Sequence, residues 1–379
     1  MPAPSYEDRQ EWRRQQLEAN DQFVVEIPKV ELHVHIEGTM TPELRWQLSL
    51  RNGIPLAVGP QKTVLDSLEK VRQIYKQIRG RIGAASADQK LHFTFFEAYY
   101  GGFDLLQTEQ DYYELAMNYF ERAAQMNVRY CEPFFDIQGH SRRGIPVTVV
   151  MNGFKKAQIE AEERLNVKSQ WIMCMLRDMS PESAMENYIA ALPFRDMIVG
   201  IGLDSDEKDH PPSLFKELFL RARADGFKLT SHCDFHQKDT HDHIRQVVEE
   251  VGGKGADRID HGMNATDRSE LMGLIKERDI GMTVCPCAYI RHQPVVEVFP
   301  RIRKLFDAGI KVTIASDDPA YMEDNWVLHN LLMARDKCSF TDKEIVQLQR
   351  NAVSICWAPE NSKQTLLHEL DAFAKSYSV

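Results

Sequence analysis

Eight short apolar runs recur along the chain, separated by stretches of helical periodicity, and this alternation constrains the fold more than any other feature. The runs cover residues 30–35, 128–135, 170–176, 198–204, 227–233, 258–262, 281–286 and 311–317. Amphipathic patterns fill 148–165, 212–224, 240–251 and 268–278, each opening near Pro, Thr or Asp as helix starts do. Strands that alternate with helices form parallel sheets, and eight such units predict an α/β fold of the closed (β/α)8 type, a TIM barrel.

About 90 residues separate the first run from the second, far more than a crossover helix needs. That stretch carries its own helical patterns and the aromatics Phe93, Phe95, Phe96, Tyr99 and Tyr100, so a helical lid is expected over about 42–126. Aromatics at this spacing either pack as core or cover a flat ring. Residues 1–27 read as a polar arm and 28–379 as one domain, with no internal repeat and no Gly/Ser linker.

Composition narrows the class of partner. The 379 residues carry 46 Lys and Arg against 56 Asp and Glu, a net charge of -10 that opposes general binding to nucleic acid. No apolar run approaches the roughly 20 residues of a membrane helix, and the charged start does not resemble a signal peptide, so a soluble, cytoplasmic protein is expected. Seven cysteines without a C-x-x-C pair read as reduced thiols. Nothing in the sequence fixes an oligomeric state.

The predicted strand ends hold the chemistry. His33 and His35 lie two apart on one strand, so both side chains face the same side and can grip one ion. His232 closes the fifth run, Asp260-His261-Gly262 the sixth, and Ser316-Asp317-Asp318-Pro319 the eighth. In a barrel of this kind the carboxyl ends of the strands form the catalytic face, where residues distant in sequence converge. Imidazoles and a paired carboxylate at those ends predict a metal site, and three imidazoles with one carboxylate leave a position open for water, as in catalytic zinc centres.

The segments VELHVHIEGT (30–39), RIDHG (258–262) and SDDP (316–319) resemble the signature blocks of the adenosine and adenine deaminase family, within the metal-dependent amidohydrolases. CEPFFDIQGHSRRGI (131–145) and GLDSDEKDHPP (202–212) resemble its adenine deaminase branch. The resemblance implies one zinc ion per chain held by His33, His35, His232 and Asp317, with His261 and Asp318 acting on a water whose pKa the zinc lowers to about 7. It also places Glu37, longer than the Asp of the adenosine branch, where a ribose would sit, and Ser205 and Asp206 beside the purine edge.

Two other zinc chemistries fit less well. The His35-Ile36-Glu37 and Pro286-Cys287 segments echo the cytidine-type deaminase pattern, but its second cysteine position is Ile290. Binuclear barrel hydrolases, by resemblance, carry a bridging lysine at the end of the fourth strand, whereas this strand ends Gly202-Leu203-Asp204. One metal is expected.

The departure from the family that matters most follows the fifth-strand histidine. After the fifth-strand histidine the family has Ala-Gly-Glu, whose Glu protonates the ring nitrogen; this chain reads His232-Cys233-Asp234-Phe235-His236, with Phe235 at the glutamate position. General acid assistance contributes about 10² to 10⁴ in rate. Asp234 and His236 are the candidates to replace it, with Phe235 and His236 also facing the substrate. The expected function is zinc-dependent hydrolytic deamination of a small heterocycle, adenine or an N6-substituted aminopurine. The alternatives are metal-dependent hydrolysis of a different heterocycle or cyclic amide, and an inactive binding protein on the same scaffold.

Overall fold

A computed structural model describes residues 2–58, 63–78, 94–235 and 237–379. Eight parallel strands make the barrel: β1 (Lys29–Glu31), β2 (Val128–Cys131, resuming as Phe134–Asp136), β3 (Trp171–Leu176), β4 (Ile198–Asp204), β5 (Lys228–Leu229, resuming as His232–Cys233), β6 (Arg258–His261), β7 (Gly281–Val284) and β8 (Val312–Ile314). Each pairs with its successor, through Val30 and Tyr130, Phe135 and Met173, Met173 and Ile201, Ile201 and Leu229, His232 and Asp260, Ile259 and Met282, and Thr283 and Thr313. A parallel bridge from Val34 to Asp317 joins the last strand to the first. There His35 N–H donates to the Asp317 carbonyl at 2.9 Å and Asp317 N–H to the His33 carbonyl at 3.1 Å.

Helices surround the barrel where the sequence predicts them. Val147–Glu160 continues into a π-turn at Ala161–Leu165, Pro212–Phe215 is a 3-10 turn leading into Lys216–Ala224, and Thr240–Glu249 and Ser269–Glu277 follow β5 and β6. The outer layer locks onto β3 through Trp171, whose ring stacks on Phe154 at 4.4 Å. The other end of the barrel is plugged by Trp357: a side chain at Gly200 would meet its ring at 2.3 Å, and the buried Arg258, paired with Glu132 at 2.7 Å, lies over it. Among the described residues no helix is long and apolar enough to cross a membrane.

Between β1 and β2 the chain forms helices Pro42–Asn52, Leu68–Gln77, Phe95–Phe103 and Glu109–Gln125, with a small hairpin pairing Ala57–Val58 with Thr63–Val64. Helix Phe95–Phe103, capped by a reciprocal Thr94–Glu97 box, brings Phe96, Tyr99 and Tyr100 to the barrel mouth. Residues 1–27 include a regular helix, Tyr6–Ala19, capped by Ser5. Its buried Arg9 pairs with Glu323 at 2.5 Å, which ties the helix to the loop after β8.

Candidate active site

The strands end in turns that aim side chains into the mouth. His261 and Asp317 have φ near 65° and Ser205 has φ 73°, the left-handed region that L residues rarely occupy. This backbone swings each side chain off the strand's alternation and toward the barrel axis. His33, His35, His232, His261, Asp317 and Asp318 are all buried there.

Their ring nitrogens face one another. His35 Nε2 lies 3.1 Å from His232 Nε2, and Asp317 Oδ1 lies 3.3 Å from His33 Nε2 and 3.6 Å from His35 Nε2. His33, His232, His261 and Asp317 offer ligand atoms within 4.8 Å of one another, and His35, Asp317 and Asp318 form an overlapping set.

The surrounding hydrogen bonds decide which nitrogens carry lone pairs. Thr283 Oγ1 donates to Asp260 Oδ1 at 2.8 Å, so toward His33 Nδ1, also at 2.8 Å, it accepts. His33 therefore holds its proton on Nδ1 and presents an unprotonated Nε2 to the carboxylate of Asp317. Two acceptors at 3.3 Å repel unless a cation lies between them. His35 Nδ1 faces Asp204 Oδ2 at 3.4 Å and His232 Nδ1 faces Asp260 Oδ2 at 3.7 Å, so a carboxylate stands behind each of those rings as well. The donor set fits a divalent metal with nitrogen and oxygen preference.

Beside this cluster stand the candidate acid–base groups. His261 Nδ1 lies 2.7 Å from Tyr289 OH, and His261 Nε2 lies 3.4 Å from Asp234 Oδ1. The loop after β5 turns Asp234 inward; its N–H donates to Glu207 at 2.5 Å, and Glu207 is itself held by Arg177 and His243. Phe235 is half-buried, packed against Tyr289 at 5.9 Å with Arg301 over its other side at 5.3 Å. Asp318 is packed against Gly38, where an added Cβ would come 2.2 Å from its Oδ1.

The remaining predicted residues fall in different places. Ser205 Oγ pairs with Tyr100 OH at 2.6 Å and lines a small chamber with His35, Phe95, Phe96, Tyr99, Asp136, Asp204 and Asp318. Asp206 is not brought with them: its carboxylate accepts from Lys208 N–H at 3.1 Å and closes a partly exposed turn. His236 and Phe93 lie outside the described residues. Glu37 is buried beside the chamber, and its Oε1 accepts from Asp136 N–H at 3.1 Å and from His140 Nε2 at 2.8 Å. Arg143 donates to His140 Nδ1, which leaves the ring proton on Nε2 for Glu37. Burial pushes the Glu37 carboxyl up to about 8, and burial with neighbouring Arg143 holds His140 well below the usual imidazole range.

Sequence reasoning passed over Asp136, Asp204, Thr283 and Tyr289. Burial and the nearby Glu37 raise Asp136, and burial and the adjoining Asp136 raise Asp204, each well above the usual carboxylate range. Their position as the final residues of β2 and β4 was the available signal, since strand ends carry the chemistry of this fold.

Comparison with known proteins agrees with this geometry. The adenosine deaminase family pattern matches residues 28–373. The chain belongs to the adenosine deaminase family. An uncharacterized deaminase of Schizosaccharomyces pombe is 42% identical over 359 residues, covering 94% of this chain and 98% of the relative. The crystal structure of an adenine deaminase from Arthrobacter aurescens superposes with a TM-score of 0.80 at 31% identity, over 92% of this chain and 99% of that one. A Burkholderia ambifaria amidohydrolase solved with bound Zn shares the fold at 24% identity and TM-score 0.78, with 94% of each chain covered. As a member of this family the chain is a metal-dependent hydrolytic deaminase that acts on carbon–nitrogen bonds other than peptide bonds in small molecules.

Proposed function

We propose that the chain is a zinc-dependent deaminase of adenine or an N6-substituted aminopurine, holding one zinc ion on His33, His35, His232 and Asp317. The observation that carries this reading is that Asp317 Oδ1 faces both His33 Nε2 and His35 Nε2 while His35 Nε2 lies 3.1 Å from His232 Nε2, with the His33 tautomer set through Thr283 and Asp260. Zinc bound there would make a water a usable nucleophile at neutral pH.

The side chains around it do the rest. Asp318 adjoins the ligand Asp317 and takes the proton of the attacking water, then returns it to the leaving amine. Tyr289 holds His261 through Nδ1, so that Nε2 aims at the same oxygen. Asp234 stands beside His261 Nε2 and serves as the acid for the ring nitrogen, the task of the glutamate that Phe235 replaces. Phe96, Tyr99 and Tyr100 cover a flat ring and exclude water. Glu37, fixed by His140 and the Asp136 N–H, occupies the space that a sugar would need.

Two measurements test the reading. Protein purified without chelator should contain about one equivalent of zinc, and the zinc-loaded protein should release ammonia or an alkylamine from adenine or N6-substituted adenines, with the matching change in ultraviolet absorbance. Metal-loaded protein that turns over no aminopurine would overturn it.

A further inference from the structure

A buried ion pair outside the metal cluster has no role yet. Arg177 follows β3 and Glu207 lies in the loop after β4; both side chains are wholly buried, with Arg177 Nη1 3.5 Å from Glu207 Oε2. Taking two charges out of water is expensive, and apolar side chains of similar volume often serve stability as well. What the pair holds points to its use.

Arg177 Nη1 donates to the His232 carbonyl at 3.0 Å, and Glu207 Oε1 accepts from the Asp234 N–H at 2.5 Å, so the two grip the chain on either side of Cys233. Glu207 Oε2 also accepts from His243 Nδ1 at 3.1 Å, on helix Thr240–Glu249. From the start of that helix Thr240 Oγ1 donates to the Asp234 carbonyl at 3.3 Å. Arg177 is fixed in turn, with its Nε donating to the His210 carbonyl at 2.8 Å. Both main-chain groups of Asp234 are therefore held by side chains of other elements, and its carboxylate reaches to 3.4 Å from His261 Nε2.

Asp234 stands one residue earlier than the glutamate that Phe235 replaces, and its side chain is one methylene shorter. Such a carboxylate reaches the same ring nitrogen only where the backbone delivers it, and a misplacement of about 1 Å can cost about 10² in rate. Resting on the proposed deaminase reading, in which Asp234 is the ring acid, we infer that Glu207, braced by Arg177 and His243, is a positioning residue that sets the backbone of Asp234 and lets this shorter acid act for the missing glutamate. Thr240 completes the grip from the other side.

The test is a double-mutant cycle on zinc-loaded full-length protein, using whichever of adenine and N6-methyladenine turns over faster. Glu207→Ala should lower kcat by about 10² with KM little changed and zinc content kept. Glu207→Gln keeps an acceptor for the Asp234 N–H and should recover most of that loss. In the Asp234→Ala background, Glu207→Ala should lower kcat by no more than about twofold further, because the group it positions is gone. Thr240→Val removes only the hydroxyl on the Asp234 carbonyl; it should lower kcat by about tenfold and lose that effect in the same background, and it decides the matter if Glu207→Ala does not fold. Equal fold-losses in both backgrounds, a Gln variant no better than Ala, or turnover falling in proportion to zinc would overturn the inference. Full activity of Asp234→Ala would overturn the ring-acid reading itself, whereas activity lost in Asp234→Ala but kept in Glu207→Ala overturns the positioning role alone.

Discussion

Removing the hydroxyl of Thr283 tests the proposed metal centre without touching a ligand. Thr283→Val keeps the shape of the side chain but deletes the oxygen that accepts from His33 Nδ1 and donates to Asp260 Oδ1, each at 2.8 Å. Asp260 keeps its bond from Thr230 at 2.5 Å, so the main loss falls on His33. Its Nδ1–H is left facing Asp260 Oδ1 at 3.8 Å, beyond hydrogen-bond distance, a cost of about 1 to 3 kcal/mol, unless the proton moves to Nε2 and competes with the metal. Loss of such outer partners weakens metal affinity by about 10- to 100-fold, equivalent to about 1.4 to 2.7 kcal/mol. The assay is zinc competition against a calibrated chelator, with thermal unfolding before and after chelation. Thr283→Val should lose zinc at correspondingly lower chelator concentration and show a smaller gain in Tm on zinc addition. Wild-type zinc affinity in this variant would refute the tautomer argument and the ligand role of His33 Nε2.

Gly38→Ala should lower kcat by about 10² with zinc retained, because the new methyl would stand 2.2 Å from Asp318 Oδ1 and must displace it; unchanged turnover would show that Asp318 does not act from this position. Asp318→Asn should keep the metal and lose about 10² to 10⁴ in turnover, and loss of metal instead would make it a ligand. Asp234→Ala should cost a similar factor, and full activity would remove it as the ring acid. Buried Lys29, with Nζ donating to the Val25 and Ile27 carbonyls, has its pKa pushed down to about 7 by burial. The unfolded chain therefore binds more protons between pH 7 and about 10.5, and this lysine's contribution to stability rises with pH across that window. The Tm of wild type relative to Lys29→Met should climb from pH 7 to 10, and a flat difference would show that the lysine titrates normally.

The barrel was legible in the sequence because its strands are buried on both faces and read as unbroken apolar runs between helical patterns. Strand ends were less so: the runs at 30–35 and 311–317 shorten to Lys29–Glu31 and Val312–Ile314 as regular strand, because backbone geometry near the mouth is set by what the side chains must face. The cluster of His33, His35, His232, His261, Asp317 and Asp318 was found from residue type and strand position alone. Its supports were not. Thr283 sits mid-strand in an apolar run, and Asp136 and Asp204 look like ordinary strand caps, so only the closed barrel shows that they adjoin His33 and His35. Asp206 was placed beside the purine edge by the family resemblance, and the left-handed turn at Ser205 sends it elsewhere.

The bridge from Val34 to Asp317 is where the first and last strands meet, and His33, His35 and Asp317 straddle it. On the proposed assignment, an ion shared among them would act as a clasp across the seam of the cylinder, fastening segments nearly three hundred positions apart. Stripping it should loosen the joint first, so amide deuterium uptake after chelation is expected to begin at 33–36 and 315–318 while β3 and β4 stay protected.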